Sequence, residues 1–244
     1  MHPILALSTS SSVLSVAAKK DGAATVEKIS PASFSHAEKI MPSVHQVLKK
    51  SRLKLTDIRT FLIDRGPGSF TGLRVGFSVL KGFLAFKKKN CYGCLSLDMI
   101  AQNTPQKNGE KIKVVVDAYR QKIYTRTYRK TSRGPIPEKG LQVLKLEEII
   151  SDLSQNFYWT GNALARHQTF FKKYVDPNYF LSEIFWYPHA SGMISAFETA
   201  GKTGGPAALF QSLDQPSDFS PLYFRLSEAE EKREETMSRH ADIR

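Results

Sequence analysis

The sequence predicts an α/β fold built as two lobes. Short apolar runs alternate with stretches of helical spacing along the chain. A polar segment rich in turn formers, Thr104–Gly109, interrupts that alternation near the middle. The chain has 244 residues, 41% of them hydrophobic and 24% charged, enough to bury a core without covalent staples. The expected organisation is a first lobe over residues 1–103, a second over 104–226, and a charged tail over 227–244. No run of eighteen apolar residues exists to span a membrane. The opening segment lacks the basic flank of a signal peptide, and five hydroxyl residues, Ser8–Ser12, interrupt it. A cytoplasmic protein with no membrane partner is expected.

The elements follow in order. Ile4–Ser8 and Val13–Ala18 flank the hydroxyl cluster and read as a β-hairpin, and Thr25–Ile29 continues the series. Ser35-His36-Ala37-Glu38 has the form of a capping box. Behind it Ala37, Ile40, Met41, Val44, Val47 and Leu48 recur at helical spacing, with Pro42 expected to kink the helix. A turn over Leu53–Asp57 leads to a strand at Thr60–Asp64, a glycine-rich turn, and a helix over Leu73–Phe86. Gly93–Leu95 reads as a strand, and Ser96 as the cap of a helix through Gln102. Past the boundary, Lys113–Asp117 and Lys122–Tyr128 form a strand pair and Arg133–Pro137 a loop. Leu141–Leu146 is a strand and Glu147–Leu153 a short helix. Phe157–Thr160 leads through Gly161-Asn162 into one helix over Ala163–Lys173, and Ala190–Ala200 is a further helix.

The charge is +12 overall, and the last eighteen residues hold six acids against four bases, leaving +14 on residues 1–226. A body this basic attracts polyanions at long range. The clusters are Lys19-Lys20, Lys49-Lys50-Ser51-Arg52, Lys87-Lys88-Lys89 and Arg126/Arg129-Lys130. Lysine-rich surfaces also simply confer solubility, and no standard nucleic-acid-binding motif is present.

The stretch Phe61–Phe86 is the most informative. Gly66, Gly68 and Gly72 permit close backbone approach, Pro67 stiffens the turn, and Ser69 and Thr71 can add hydroxyl donors. The turn opens a helix, where free N–H groups favour an anion. The same residues equally serve a tight turn that packs strand against helix. No Gly-Lys-Ser/Thr follows, so this is not a Walker loop. The helix behind it is apolar on two sides: Leu73, Phe77, Leu80 and Leu84 line one, Val75, Val79, Phe83 and Phe86 the other, with Gly72, Gly76 and Gly82 thinning its surface. Both sides demand burial, against the chain itself or against a partner.

Asp64-Arg65-Gly66-Pro67-Gly68-Ser69-Phe70-Thr71-Gly72-Leu73-Arg74-Val75-Gly76 resembles the GRGPGSFTG(V/L)R(I/V)G signature of the TsaB (YeaZ) family. Ile4–Ser10 resembles that family's opening ILALDTS, His36–Pro42 its HSERLLP, and Val116–Tyr124 its VDAR-x-x-x-VY. Gly161-Asn162 and Pro221–Arg225 match later marks. The resemblance implies an actin/Hsp70/sugar-kinase-like α/β fold of two lobes and a role in making threonylcarbamoyladenosine in tRNA. It implies a non-catalytic subunit, with no catalytic residue of its own, that pairs with the catalytic TsaD-type paralogue and is joined by a TsaE-type ATPase. It further implies tRNA contact through that complex and self-dimers when the chain is alone. No cofactor is expected to bind independently, and ATP or ADP would sit at the complex interface. The helices matching the family's pairing surface are His36–Lys50 and Leu73–Phe86, with contact expected through Ile40, Met41, Val44, Leu73, Gly76, Phe77, Leu80 and Leu84.

Rival chemistries fit less well. Related TsaD-type proteins hold a metal with His-x-x-x-His, whereas here Ile40 stands four residues after His36 and the next histidine is His45, about 180° around the helix. No metal is expected. The alternative of an autonomous nucleotide-hydrolysing enzyme of the same fold lacks its early carboxylate, because Ser8 stands where the family has Asp; Asp64 stands where glycine is usual. Cys91-Tyr92-Gly93-Cys94 is a lone C-x-x-C without a second pair for zinc. No Gly-x-Ser-x-Gly elbow points to serine hydrolysis.

Overall fold

The computed structural model describes residues 2–31, 36–85, 89–152, 156–203 and 209–224. Ten strands and six helices carry most of the architecture, with one short strand closing an edge. β1 (Ile4–Ser8), β2 (Val13–Lys19), β3 (Val26–Pro31), β4 (Thr60–Asp64), β5 (Asn90–Cys94) and the two-residue β11 (Gln211–Ser212) form one sheet, ordered β11-β5-β4-β1-β2-β3. β1 runs antiparallel to β2 and parallel to β4, and β4 parallel to β5. The second sheet is β10 (Tyr158–Thr160), β6 (Lys111–Asp117), β7 (Lys122–Thr131) and β8 (Gly134–Pro137), in that order, with β9 (Gln142–Lys145) also pairing with β7. Two α/β layers therefore stand where two lobes were expected.

Alternation along β1 distributes the core. Leu5 and Leu7 face α1 (His36–Lys50) and α2 (Phe70–Leu84), joining Val16, Ile40, Val44, Phe61, Phe77 and Leu80. Ile4 and Ala6 point the other way, to α6 (Ala190–Thr203), joining Ala17, Leu62, Met193 and Ile194. The short α3 (Ser96–Gln102) lies between the sheets. Met99 faces the first sheet, whereas Leu97, Ile100 and Ala101 face Ile112, Val114 and Tyr128 of the second. Burial on both sides explains why a seven-residue helix holds. The far face of the second sheet packs Val115, Ile123 and Trp159 against α4 (Ala163–Arg166) and α5 (Gln168–Tyr174).

Several expectations are corrected. The helix after the glycine turn begins at Phe70, not Leu73, because Ser69 Oγ caps it by accepting the Gly72 N–H at 3.2 Å. Ser96 is inside α3 and its hydroxyl donates to Asp64 at 2.6 Å; the cap position is Leu95. Arg133–Pro137 is not all loop: β8 starts at Gly134, where φ is +113°, and its two prolines are accommodated on a sheet edge. The helix over Ala163–Lys173 is broken at His167, which leaves helical geometry (φ −117°, ψ 35°) where its ring meets Asp117 Oδ1 at 3.2 Å. α1 continues through Pro42. Residues 104–226 do not keep to the second sheet. α6 packs on β1, β2 and β3, and β11 pairs with β5, so the chain returns to the first layer after residue 189. The Ser35 cap, Phe86, Lys87-Lys88 and the tail lie outside the described residues.

Candidate functional site

The turn between β4 and α2 closes on a carboxyl group, and that group is the chain's own. Asp64, fully buried at the end of β4, accepts hydrogen bonds from Ser8 Oγ (2.8 Å), Ser10 Oγ, Ser96 Oγ (2.6 Å) and the Gly66 N–H (2.9 Å). Burial pushes its carboxyl above the usual 3.8, opposed by those four hydrogen bonds. Two further amides of the motif bond within the chain: Ser69 N–H donates to Ser10 O at 2.6 Å and Gly72 N–H to Ser69 Oγ. The Ser8, Ser10 and Ser96 hydroxyls and the Gly66 N–H are thereby taken by the chain's own carboxyl group. Gly66, at φ +94°, supplies the left-handed turn itself.

The glycines serve the same packing. A Cβ on Gly68 would strike Ser10 O, one on Gly72 would strike Thr9 O, and one on Gly76 would meet Thr9 Oγ1 at 2.5 Å. The thin side of α2 is therefore seated on the Ser8–Ser12 loop of its own chain. Leu73, Phe77 and Leu80 are 2%, 3% and 0% exposed and belong to the first-layer core. Ile40 and Val44 are buried there too, and Leu84 packs half-buried against it. The expected contact through Val44, Leu73, Gly76, Phe77 and Leu80 is thus corrected: these groups are consumed by the fold, while Ile40, also buried, still lines the groove beside them. Of that set Met41 is exposed, at 48%.

The surface left open is the neighbouring one. Ala37, Ile40 and Met41 of α1 and Phe70, Thr71, Arg74, Val75, Ser78 and Val79 of α2 line a groove of about 450 Å³. Val75 and Val79 fall on the second apolar side of α2 visible in the sequence, so a signal existed; what was hidden was which side the glycines would seat. The groove's end is fixed by the last described segment. Tyr223 stacks on Phe70 at 5.0 Å, and the Arg74 guanidinium covers the other ring contact at 3.9 Å from the Phe70 centroid. Arg65, unremarked as a functional residue in sequence, ties that segment down: its guanidinium donates to Gln211 and to Ser220 O, and its carbonyl accepts the Leu222 N–H at 2.9 Å. Gly93 gives the Arg65 side chain room to lie across β5.

The remaining motifs find no joint site. His36 Nε2 lies 2.9 Å from Ser11 O, and His45 is exposed on the opposite side. Among the described residues no three His, Cys, Asp or Glu side chains gather as a metal site. Cys91 and Cys94 are both buried, in cores on opposite faces of the first sheet. Burial pushes the Cys91 thiol up to about 12 and Cys94 well above its ordinary value. No helix among the described residues is long and apolar enough to cross a membrane.

Residues 29–230 match the family model described as TsaD, tRNA N6-adenosine threonylcarbamoyltransferase. The tRNA threonylcarbamoyladenosine biosynthesis protein TsaB of Escherichia coli is 30% identical over 154 residues, covering 62% of this chain and 66% of that protein. Its namesake from Bacillus subtilis is 24% identical over 68% of this chain and 73% of its own length. The structure of YeaZ from Pseudomonas aeruginosa superimposes with a TM-score of 0.75 over 92% of this chain and all of that one, at 21% identity. That match shows the two-sheet α/β fold of YeaZ. With a family model matched over most of its length and its motifs in register, the chain belongs to the TsaB family, within the larger group whose model is TsaD.

Proposed function

We propose that this chain serves the formation of threonylcarbamoyladenosine in tRNA as a non-catalytic subunit, docking the α1–α2 groove onto a catalytic TsaD-type paralogue. The observation that carries this reading is the apolar groove between Met41 and Val79, standing beside a motif whose carboxyl group, Asp64, is held internally. An exposed apolar patch rimmed by Arg74, Thr71 and Ser78 has the make-up of a protein interface. With Asp64 sealed by four donors, the chain offers no carboxylate here to hold metal-bound phosphate. A TsaE-type ATPase joins the assembly, and ATP or ADP lies at the joint between subunits. Without its paralogue the chain pairs with itself through the same groove.

Reconstitution tests this. Purified chain, paralogue and ATPase are combined with tRNA and the donor substrates, and the modified nucleoside is measured by mass spectrometry after digestion. Product is expected only when chain and paralogue are both present. Product from the chain alone would overturn the non-catalytic role. Steady ATP turnover by the chain alone would favour the autonomous hydrolase.

A further inference from the structure

A second site lies on the second layer, away from the groove. The hairpin joining β6 to β7, the end of β9 with the segment after it, the end of α4 and α5 enclose an open cleft of about 940 Å³. Four cations line it, Arg120, Lys122, Lys145 and Arg166, against the single carboxylate Glu147. Two local features run against folding preference. Lys122 and Lys145 are direct partners across the antiparallel β7–β9 pair, where like charges repel. Tyr119, Arg120 and Gln121 stand in succession at φ +59°, +49° and +57°, a left-handed run that L residues avoid. Internal bonds hold this loop, Lys122 N–H to Tyr119 O at 3.0 Å and Leu146 N–H to Gln121 O at 2.7 Å. The outcome is a fixed loop that places Arg120 and Lys122 at the cleft beside Lys145.

Aromatic faces accompany the charge. Tyr174 is 40% exposed at the cleft and packs on Phe170, while Tyr119, 55% exposed, has the Arg166 guanidinium 4.8 Å from its ring centroid. Arg166 and His167 also meet Asp117, at 3.3 and 3.2 Å, so Arg166 is anchored from behind. Cations spread along an open cleft, with the Phe170 and Tyr174 rings on its α5 wall, match a nucleic-acid strand: phosphates for the charges, bases for the faces.

We infer that this cleft is an RNA-binding surface, through which the chain itself holds part of the tRNA. The choice of RNA rests on the family reading; the anionic, stacking character of the ligand rests on the cleft. The test is fluorescence anisotropy of labelled, unmodified tRNA transcript against the intact chain between about 50 and 200 mM salt. Lys122→Glu/Lys145→Glu is expected to lose about tenfold or more in affinity and to lower the salt slope by roughly 1.5. Lys20→Glu/Lys107→Glu, an equal charge change on exposed sites elsewhere, is expected to lose far less. Lys145→Gln/Tyr174→Ala gives the same ordering should the double reversal fail to fold. Equal losses from both charge reversals, or an unaltered affinity in Lys122→Glu/Lys145→Glu, would overturn the site. So would absence of binding by the wild type, displacement of tRNA by ATP, or polyglutamate binding as tightly as tRNA. Paralogue capture, measured on the same preparations, reads the groove separately, so failure of this cleft and failure of the family reading are distinguishable.

Discussion

Ser8 Oγ donates to Asp64 Oδ2 at 2.8 Å, linking the ends of the parallel neighbours β1 and β4. The family pattern has Asp in the place of Ser8 and glycine in the place of Asp64. In this chain the carboxyl group stands on β4 at Asp64, and three hydroxyls and one amide enclose it. Its position ties the glycine turn to β1 and α3 and leaves no carboxylate there for metal-bound phosphate.

Stability should carry the mark of Asp64. Burial holds its carboxyl above 3.8 in the folded chain, so on raising pH the unfolded chain gives up this proton first. The group's contribution is therefore fullest below 3.8 and is lost as pH rises through the folded value. Asp64→Asn removes that dependence. Urea unfolding between pH 4 and 7 should show the wild type losing stability relative to Asp64→Asn as pH rises; a difference flat in pH would contradict the assignment.

Three glycines of α2 should respond in opposite directions. Gly72→Ala and Gly76→Ala bring a methyl against Thr9 and are expected to cost about 1–3 kcal/mol despite better helix propensity. Gly82→Ala meets nothing within 4 Å and should gain about 0.5–1 kcal/mol. Thermal melts of the three variants decide it.

The thiols should be inert. Cys91, with its thiol at about 12, and Cys94, fully buried, are expected to resist Ellman's reagent in the native chain and to react in urea. Rapid native labelling of either would reopen the redox reading of the C-x-x-C.

Much of this was legible. Short apolar runs placed β1, β2 and β4, because both faces of each are buried, and helical spacing placed α1, because one face of it is. What escaped depends on contacts distant in sequence. Nothing near Ser69 announces that Gly72 and Gly76 will seat on Thr9, sixty residues earlier, so the buried and open sides of α2 were exchanged. The return of α6 to the first sheet is equally non-local, set by Ser15 Oγ accepting the Ala190 N–H and Glu27 accepting from Ser191. The break at His167 is a side-chain event, its ring meeting Asp117 fifty residues away.

The groove is the account's centre, and paired substitutions on α1 and α2 test it most directly. Isothermal titration of the chain with its TsaD-type paralogue is run for Met41→Asp and Val79→Asp, both at the groove, and for Phe77→Asp and Leu80→Asp, both in the core. The groove variants should keep native circular dichroism and lose pairing by about 100-fold or more, as for central interface anchors; the core variants should unfold. Native groove variants that pair as tightly as the wild type would contradict it.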